Sequence, residues 1–447
     1  MTELDTIVAL ATPRMTSALA IIRLSGSKTL SILEHIQKKK AENIIPNQSF
    51  FANIYEDIST KEKPIDQAVI TFYKGPKSYT GEDTAEFSIH GSPLIADALM
   101  NACVKWGARP AQRGEYSLKA FLNNKLGLLE AEGVNNLINA KSTLARALAL
   151  QAVKGKTKRQ IEDIKNTLLY AISEAEYLLE DDYSDHPDYM DTLHKVQEDK
   201  IYPLIKNIEE LESKANNALK AYNGIKVAIV GKPNVGKSTL LNALVGEEKA
   251  IVTPIPGTTR DIIEGDTEIN GIQFHFFDTA GIHETDDEVE KIGVERALNA
   301  INTADLILLV SPSSFENEDL PSIPTGKKVI KIGSKSDLGF ALGADVEINA
   351  KDGQIEELKN RLIKEVSLNS TNTDNSFMSE RDLSFLVKVK DLVIKANHAL
   401  DNGGLIDAFS DDLRRAVALA NEMLGLDMRS TEEDIYNTIF SRFCLGK

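Results

Sequence analysis

Residues 231–238 read Gly231-Lys232-Pro233-Asn234-Val235-Gly236-Lys237-Ser238, which fits the pattern G-x-x-x-x-G-K-S. A buried-type strand pattern precedes them at 225–230 and a helical pattern follows, the context that a phosphate-binding loop requires. Glycines let backbone N–H groups approach phosphates, and a helix N-terminus favours negative charge. We expect Lys237 to reach the β- and γ-phosphates of a nucleotide and the Ser238 hydroxyl to bind Mg²⁺.

Further patterns follow in the chain order typical of guanine-nucleotide-binding domains. Asp278-Thr279-Ala280-Gly281 fits D-x-x-G, in which the Asp holds Mg²⁺ through water and the Gly N–H contacts the γ-phosphate. Thr258 and Thr259 lie before it, where a switch loop supplies a Thr to Mg²⁺. In Ser334-Lys335-Ser336-Asp337, the Asp carboxylate can accept hydrogen bonds from guanine N1 and N2 groups, which adenine lacks. Asn349-Ala350-Lys351 resembles the Ser-Ala-Lys base loop of GTPases.

These patterns predict a GTP-binding site with a defined set of residues. They are Asn234, Val235, Gly236, Lys237, Ser238, Thr239, Thr258, Thr259, Asp278, Thr279, Ala280, Gly281, Ser334, Lys335, Asp337, Asn349, Ala350 and Lys351. Ser334 stands where base motifs usually have Asn, so guanine preference depends mainly on Asp337. Ile282 stands where Ras-like GTPases have a water-orienting Gln, so hydrolysis needs a substitute group.

Composition narrows the class of protein. The chain has 447 residues, enough for about two to four domains. Hydrophobic residues make up 42% and charged residues 26%, which is typical of a soluble globular protein. No apolar run has the length of a membrane span, and the acidic N-terminus is unlike a secretory signal, so we expect a cytoplasmic location. The net charge of −16 means that any RNA must meet a local basic patch or a partner's surface.

Patterning divides the chain into four predicted segments. Residues 1–118 alternate short strands and turns, an α+β pattern. Residues 119–221 are helical; Ile161, Ile164, Leu168, Ile172, Ala175 and Leu179, for example, share one helix face. Residues 222–368 alternate strands and helices, which predicts a doubly wound, mostly parallel sheet. Residues 369–447 are helical again, so we expect the α/β module to be an insertion in one helical domain.

Several stretches outside the nucleotide motifs resemble one known family, the MnmE (TrmE) family of tRNA-modification GTPases. The resemblance extends over nearly the whole chain. The stretches are Asp5-Thr6-Ile7-Val8-Ala9, Ile22-Arg23-Leu24-Ser25-Gly26, Ser78-Tyr79-Thr80-Gly81-Glu82-Asp83, His90-Gly91, Arg113-Gly114-Glu115-Tyr116, Ala120-Phe121-Leu122-Asn123-Asn124-Lys125, Gly257-Thr258-Thr259-Arg260-Asp261, Asp287-Glu288-Val289-Glu290 and Phe443-Cys444-Leu445-Gly446-Lys447.

The resemblance implies an activity and partners. Proteins of this family form homodimers through the N-terminal domain and bind a 5-formyltetrahydrofolate or related folate there. They act with an FAD-containing MnmG-type partner in a heterotetramer. Together they add an aminomethyl or carboxymethylaminomethyl group to C5 of the wobble uridine of certain tRNAs, and GTP hydrolysis drives a conformational cycle.

The resemblance also implies roles for individual residues. Arg23, Glu86, Lys125 and the terminal Lys447 match folate-site positions. For K⁺, Asn234 matches the family's P-loop ligand, and Thr253, Ile255 and Thr258 match the loop that completes the site; Thr253 thereby joins the GTP-binding set. Mg²⁺ is assigned to Ser238 and Thr259. Glu290 resembles the catalytic glutamate that acts on the attacking water.

Some positions depart from the family pattern. The usual Gly-rich run before the Arg23 strand is Pro13-Arg14-Met15-Thr16-Ser17 here, and His283 replaces a usual Arg. Cys444 suits neither a lipidation signal nor a disulfide framework.

Two other functions compete with this interpretation. A regulatory GTPase bound to RNA or ribosome, like Era-type proteins, explains the nucleotide motifs but not Arg23, Glu86, Lys125 and the Cys-Leu-Gly-Lys tail. A folate-binding scaffold with an inactive nucleotide domain gains weight from Ser334. Potassium-stimulated GTP hydrolysis distinguishes this scaffold from the modification enzyme.

Overall fold

The computed structural model describes most of the chain. The described residues are 5–59, 63–179, 189–232, 234–246, 263–278, 299–315, 323–366, 377–401, 406–426, 440, 443 and 446. They form two compact units. One contains described parts of 1–135, 158–189 and 398–447, and the other contains described parts of 136–157 and 190–397. No described helix is long and apolar enough to cross a membrane.

The first unit contains a six-stranded sheet with helical residues packed against both faces. Its strands are β1 (Ile7–Leu10), β2 (Leu19–Ser25), β3 (Ser49–Ile54), β4 (Asp66–Tyr73), β5 (Thr84–His90) and β6 (Arg109–Pro110). The strand order is β3-β4-β5-β2-β1-β6, and all neighbours are antiparallel except β1 and β6. The helices are α1 (Thr29–Ile36), α2 (Pro93–Lys105), α3 (Glu115–Leu122) and α4 (Leu128–Asn139). This is the predicted α+β pattern.

The core of this unit follows from strand alternation. In β2 the buried Ile22 and Leu24 point to the face that α1 and α2 cover, with Ile32 and Leu99 among the helix residues in the same core. Arg23, between them, faces the other side of the sheet because successive strand side chains alternate. The register places Arg23 directly opposite Glu86 of β5.

The remaining helices lie between residues 143 and 424. They are α5 (Thr143–Val153), α6 (Lys156–Leu179), α7 (Tyr189–Val196), α8 (Tyr202–Asn223), α9 (Lys237–Val245), α10 (Glu356–Val366), α11 (Glu380–Asp401) and α12 (Ile406–Leu424). The predicted apolar face of α6 is confirmed, since Ile161, Ile164, Leu168, Ile172 and Ala175 are buried.

The second unit contains the predicted doubly wound sheet. Its strands are β7 (Ile225–Val230), β8 (Ile263–Ile269), β9 (Ile272–Asp278), β10 (Leu306–Ser311), β11 (Lys328–Gly333) and β12 (Val346–Glu347). The order is β12-β11-β10-β7-β9-β8, parallel except for β8 against β9. Every residue of β10 is buried, as expected for a strand covered on both faces. Asn270 and Gly271 both have positive φ and join β8 to β9 as the hairpin turn.

Candidate functional site

The phosphate-binding loop lies between β7 and α9. Gly236, with φ of +104°, adopts the left-handed conformation that favours glycine and lets α9 begin at Lys237. The Lys237 ammonium donates to the carbonyl oxygens of Gly231 (2.9 Å) and Lys232 (3.0 Å). Burial lowers the pKa of Lys237, and the nearby Asp278 carboxylate opposes part of that shift. The loop therefore wraps around a cation at a helix N-terminus, which is an anion-binding arrangement.

A pair of oxygen ligands lies beside this loop. The Ser238 hydroxyl donates to Oδ2 of Asp278 at 2.8 Å. Asp278 ends β9, is 1% exposed, and its Oδ1 is buried with no hydrogen-bond partner among the described residues. A carboxylate and a hydroxyl suit Mg²⁺, which prefers oxygen ligands and keeps several waters. Elsewhere in the described chain, no cluster of three His, Cys, Asp or Glu residues could hold a metal.

The base motif after β11 is tied to the phosphate loop. The buried Ser334 hydroxyl donates to the Val235 carbonyl at 2.7 Å. The Lys335 ammonium donates to the Asn234 carbonyl at 3.0 Å, and both residues have positive φ. Asp337, three residues after Ser334, is exposed. Base motifs usually have an Asn side-chain amide at this position. The Ser334 hydroxyl that stands there instead contacts the phosphate loop.

The second base loop follows β12. The backbone N–H of Ser336 donates to the carbonyl of Ile348 at 3.2 Å, which joins the two loops. Asn349 is buried, and its side-chain amide donates to Asp352 at 2.6 Å. Ala350 and Lys351 form the short helical turn between them. Thr239 lies in α9 on an exposed position.

The structure thus brings the described motifs together at the carboxyl ends of parallel strands. The remaining predicted residues lie outside the described residues. These are Thr253, Ile255, Thr258, Thr259, Thr279, Ala280, Gly281, Glu290 and Lys447.

A second polar cluster lies on the sheet of the first unit. The Arg23 guanidinium donates to Oε1 of Glu86 through Nε (2.9 Å) and Nη2 (2.7 Å). Its third contact is to the carbonyl of Gly446 at 3.0 Å, which brings the C-terminal tail to this cluster. The rings of Tyr79 and Tyr116 each have their centre 5.6 Å from the guanidinium carbon. Three of the predicted folate positions are described, and two of them, Arg23 and Glu86, are paired.

Lys125 reaches the same region through a tight turn. A Cβ atom at Gly81 would lie 3.1 Å from Cγ of Lys125, and φ of Gly81 is +80°. Gly81 follows Tyr79 by two residues, so the turn 79–81 contacts both Arg23 and Lys125.

A buried ion pair near this turn was not predicted from the sequence. Lys119 is 1% exposed and donates to both oxygens of Glu82, at 3.0 and 2.8 Å, and to the carbonyl of Asp5 at 2.9 Å. Ser25 adds a hydrogen bond to Glu82 at 3.1 Å. Removal of one partner from a buried, hydrogen-bonded ion pair is strongly destabilising, because it leaves an uncompensated buried charge. The pair therefore fixes the turn that carries Tyr79.

The fold and the phosphate loop define a P-loop nucleotide-binding protein of the GTPase class, in a chain that carries a second polar site. A family model described as "GTP-binding protein TrmE N-terminus" matches residues 6–125, and one described as "MnmE helical domain" matches residues 128–444. The chain belongs to the MnmE (TrmE) family of tRNA modification GTPases.

Two relatives that match over nearly their whole length support this membership. A tRNA modification GTPase MnmE from Aquifex aeolicus is 39% identical over 99% of this chain and 100% of its own length. One from Fervidobacterium nodosum is 37% identical over 99% of this chain and 98% of its own. Among solved structures, a variant of Era from Aquifex aeolicus bound to GDP.AlF4- is 29% identical over 37% of this chain and 65% of that chain, with a TM-score of 0.25.

Proposed function

We propose that this chain is a GTP-hydrolysing enzyme of tRNA modification. With an FAD-containing MnmG-type partner it adds a carboxymethylaminomethyl or aminomethyl group to C5 of the wobble uridine of certain tRNAs. The observation that carries the proposal is the contact of Ser238 with the buried Asp278, in a chain whose full-length relatives are tRNA modification GTPases. That contact joins the phosphate loop to the strand that carries the D-x-x-G motif.

The proposed nucleotide site combines residues of the described loops with motif residues that lie outside the described part of the chain. Lys237 and the N-terminus of α9 bind the phosphates, and Asp337 selects guanine because it accepts from N1 and N2. Ser238 and Thr259 would hold Mg²⁺, with Asp278 contributing through water. Asn234, Thr253, Ile255 and Thr258 would hold K⁺, which when bound would supply positive charge beside the phosphates.

Glu290 is proposed as the group that acts on the attacking water. Ile282 cannot orient water, and Asp278 and Ser238 are committed to the metal. A carboxylate placed within reach of that water, directly or through a second water, can serve as general base.

The first unit binds the folate that supplies the one-carbon group. A pterin pairs with a carboxylate and the glutamate carboxylates of folate need cations. The four positions Arg23, Glu86, Lys125 and Lys447 supply groups of both kinds. The pairing of Arg23 with Glu86 supports the location of this site, because it holds an acid and a base together on one face of the sheet.

The assembly is proposed from the family. Two copies form a homodimer through the segment 1–118, and the dimer joins two flavoprotein subunits in a cytoplasmic heterotetramer that receives tRNA. The division at 118, 221 and 368 into four segments belongs to the same proposal.

The test is GTP hydrolysis by the purified chain with Mg²⁺ in matched K⁺ and Na⁺ buffers. We expect turnover to rise strongly in K⁺, and Asn234→Ala to erase the difference between the two salts. Asn242→Ala, at an exposed position of α9, is the matched control and should retain it. Equal wild-type rates in both salts would remove K⁺ from the site, and no turnover in either would contradict the GTPase assignment.

A further inference from the structure

The loop that carries Asp337 is held at both ends by protein contacts. At its start, Ser334 donates to the Val235 carbonyl of the phosphate loop. At its far end, the backbone N–H of Ala341 donates to Oε1 of Glu347 at 2.7 Å. Between these points Asp337 is exposed. The first half of the loop is further held by the bonds of Lys335 to Asn234 and of Ser336 to Ile348, whereas the Glu347 carboxylate is a side-chain contact at its far end.

Glu347 reaches this loop across the neighbouring strand. It pairs with Gly333 in the register of β11 and β12, and Gly333 directly precedes Ser334. A Cβ atom at Gly333 would lie 2.1 Å from Oε2 and 2.4 Å from Oε1 of Glu347. The carboxylate thus lies flat against the glycine, in space that any larger residue would occupy.

The contact is stronger than an ordinary loop hydrogen bond. A carboxylate that accepts from a backbone N–H makes a charge-assisted bond, about twice as strong as a neutral one. The other oxygen, Oε2, is buried with no hydrogen-bond partner among the described residues, which costs free energy. The Glu347 carboxylate is therefore held at the end of the Asp337 loop by its bond to Ala341 and by the pairing of β12 with β11.

We propose that Glu347 is a positioning residue for guanine recognition, acting through the Ala341 N–H to hold the loop of Asp337 at the height of the base. The inference rests on the proposed function, in which Asp337 reads guanine. Hydrogen bonds weaken steeply with distance and angle, so a small shift of this loop removes much of the Asp337 contribution. Because the Ser334 hydroxyl is bonded to Val235, fewer base contacts remain to correct such a shift.

The test compares the dissociation constants of GDP and ADP for the full chain. Glu347→Ala should weaken GDP binding about tenfold, the loss of roughly one hydrogen bond to a charged group. ADP binding should stay within about twofold, since adenine lacks the donors that Asp337 recognises. Glu347→Gln keeps an acceptor oxygen for Ala341 and should restore most of the GDP preference.

Gly333→Ala supplies an independent variant that leaves the carboxylate in the chain. Its new Cβ displaces the end of a flexible side chain, so it should reproduce the Glu347→Ala loss and add little to it in the double variant. Asp345→Ala is the matched control. Asp345 directly precedes β12 and accepts from the Lys331 N–H of β11 at 2.8 Å. It lies beyond the segment from Ser334 to Ala341, and its loss should leave the GDP preference unchanged.

The outcomes separate the two proposals. A wild-type chain that binds GDP and ADP equally would overturn guanine reading by Asp337, and the role of Glu347 with it. A wild-type preference for GDP that survives Glu347→Ala would overturn the positioning role alone. Equal weakening of GDP and ADP by Glu347→Ala would also overturn it, because that result describes general destabilisation.

Discussion

The nucleotide loops of the second unit and the Arg23 cluster of the first unit are assembled by different rules. In the nucleotide site, Ser238, Asp278 and Ser334 follow the ends of parallel strands, and parallel sheets collect such residues at one edge. In the other cluster, Arg23 meets Glu86 by antiparallel register and the Gly446 carbonyl across 423 positions of sequence. Short motifs therefore reveal the first site, whereas the second depends on strand pairing that no short motif encodes.

The difference has a chemical counterpart. The nucleotide site works largely through backbone groups and a helix N-terminus, which glycine spacing makes visible in the sequence. The Arg23 cluster works through side chains on one face of a sheet, where each residue alone looks like an ordinary surface charge. If the two sites act independently, a substitution in the nucleotide site should change GTP hydrolysis and leave folate affinity unchanged. A substitution in the Arg23 cluster should do the reverse.

The largest effect is expected for Glu290→Ala in the nucleotide unit. Hydrolysis in K⁺ at saturating GTP should fall by about 10²-fold or more, the usual scale for a lost general base. Nucleotide affinity should change only a few-fold, because the proposed role concerns water. Single-turnover kinetics would measure both quantities.

Neighbouring acids provide matched controls for that substitution. Asp286→Ala, Asp287→Ala and Glu288→Ala should retain most of the activity. Near-normal turnover of the Glu290→Ala protein would contradict the proposed role of Glu290 and would show that another group acts on the attacking water.

A smaller effect, confined to the other site, is expected for Arg23→Ala. Loss of hydrogen bonds to a charged group costs about 1.5–3 kcal/mol, so affinity for 5-formyltetrahydrofolate should fall at least about tenfold. GTP hydrolysis in K⁺ should remain close to wild type. Calorimetric titration with the folate gives the affinity directly.

The control for this variant is Arg14→Ala. Arg14 pairs with Asp97 at 2.7 Å, but its side chain is 67% exposed, and exposed pairs contribute little. Unchanged folate affinity in Arg23→Ala would contradict the view that the Arg23 cluster is a binding site, since the cluster would then have only a structural role.

The smallest effect is expected for Tyr116→Phe. The buried Tyr116 hydroxyl donates to the Arg23 carbonyl at 2.6 Å, and burial raises the pKa of Tyr116, so it stays protonated near neutral pH. Its loss should lower the free energy of unfolding by about 1 kcal/mol. Chemical denaturation measures this, and Tyr202→Phe, at a half-exposed position, should cost less. A cost for Tyr202→Phe equal to that of Tyr116→Phe would show that the contact with Arg23 is unimportant.

Much of the fold follows from local sequence, and much of the second site does not. The sequence predicts the strands around the phosphate loop and the buried face of α6, because hydrophobic periodicity is a local property. The sequence did not predict the Lys119–Glu82 ion pair, or the hydrogen bonds that Ser334 and Glu347 make to Val235 and Ala341. Each depends on which strand or loop lies alongside, which tertiary packing decides.

The central claim is that this chain takes part in modification of the wobble uridine. The most direct measurement is mass-spectrometric nucleoside analysis of tRNA from cells that lack the gene, complemented with the wild type or with Lys237→Ala. The account predicts loss of the C5-modified wobble uridines, restored by the wild type and not by Lys237→Ala, whose phosphate-binding cation is missing. An unchanged nucleoside profile in cells that lack the gene would contradict it.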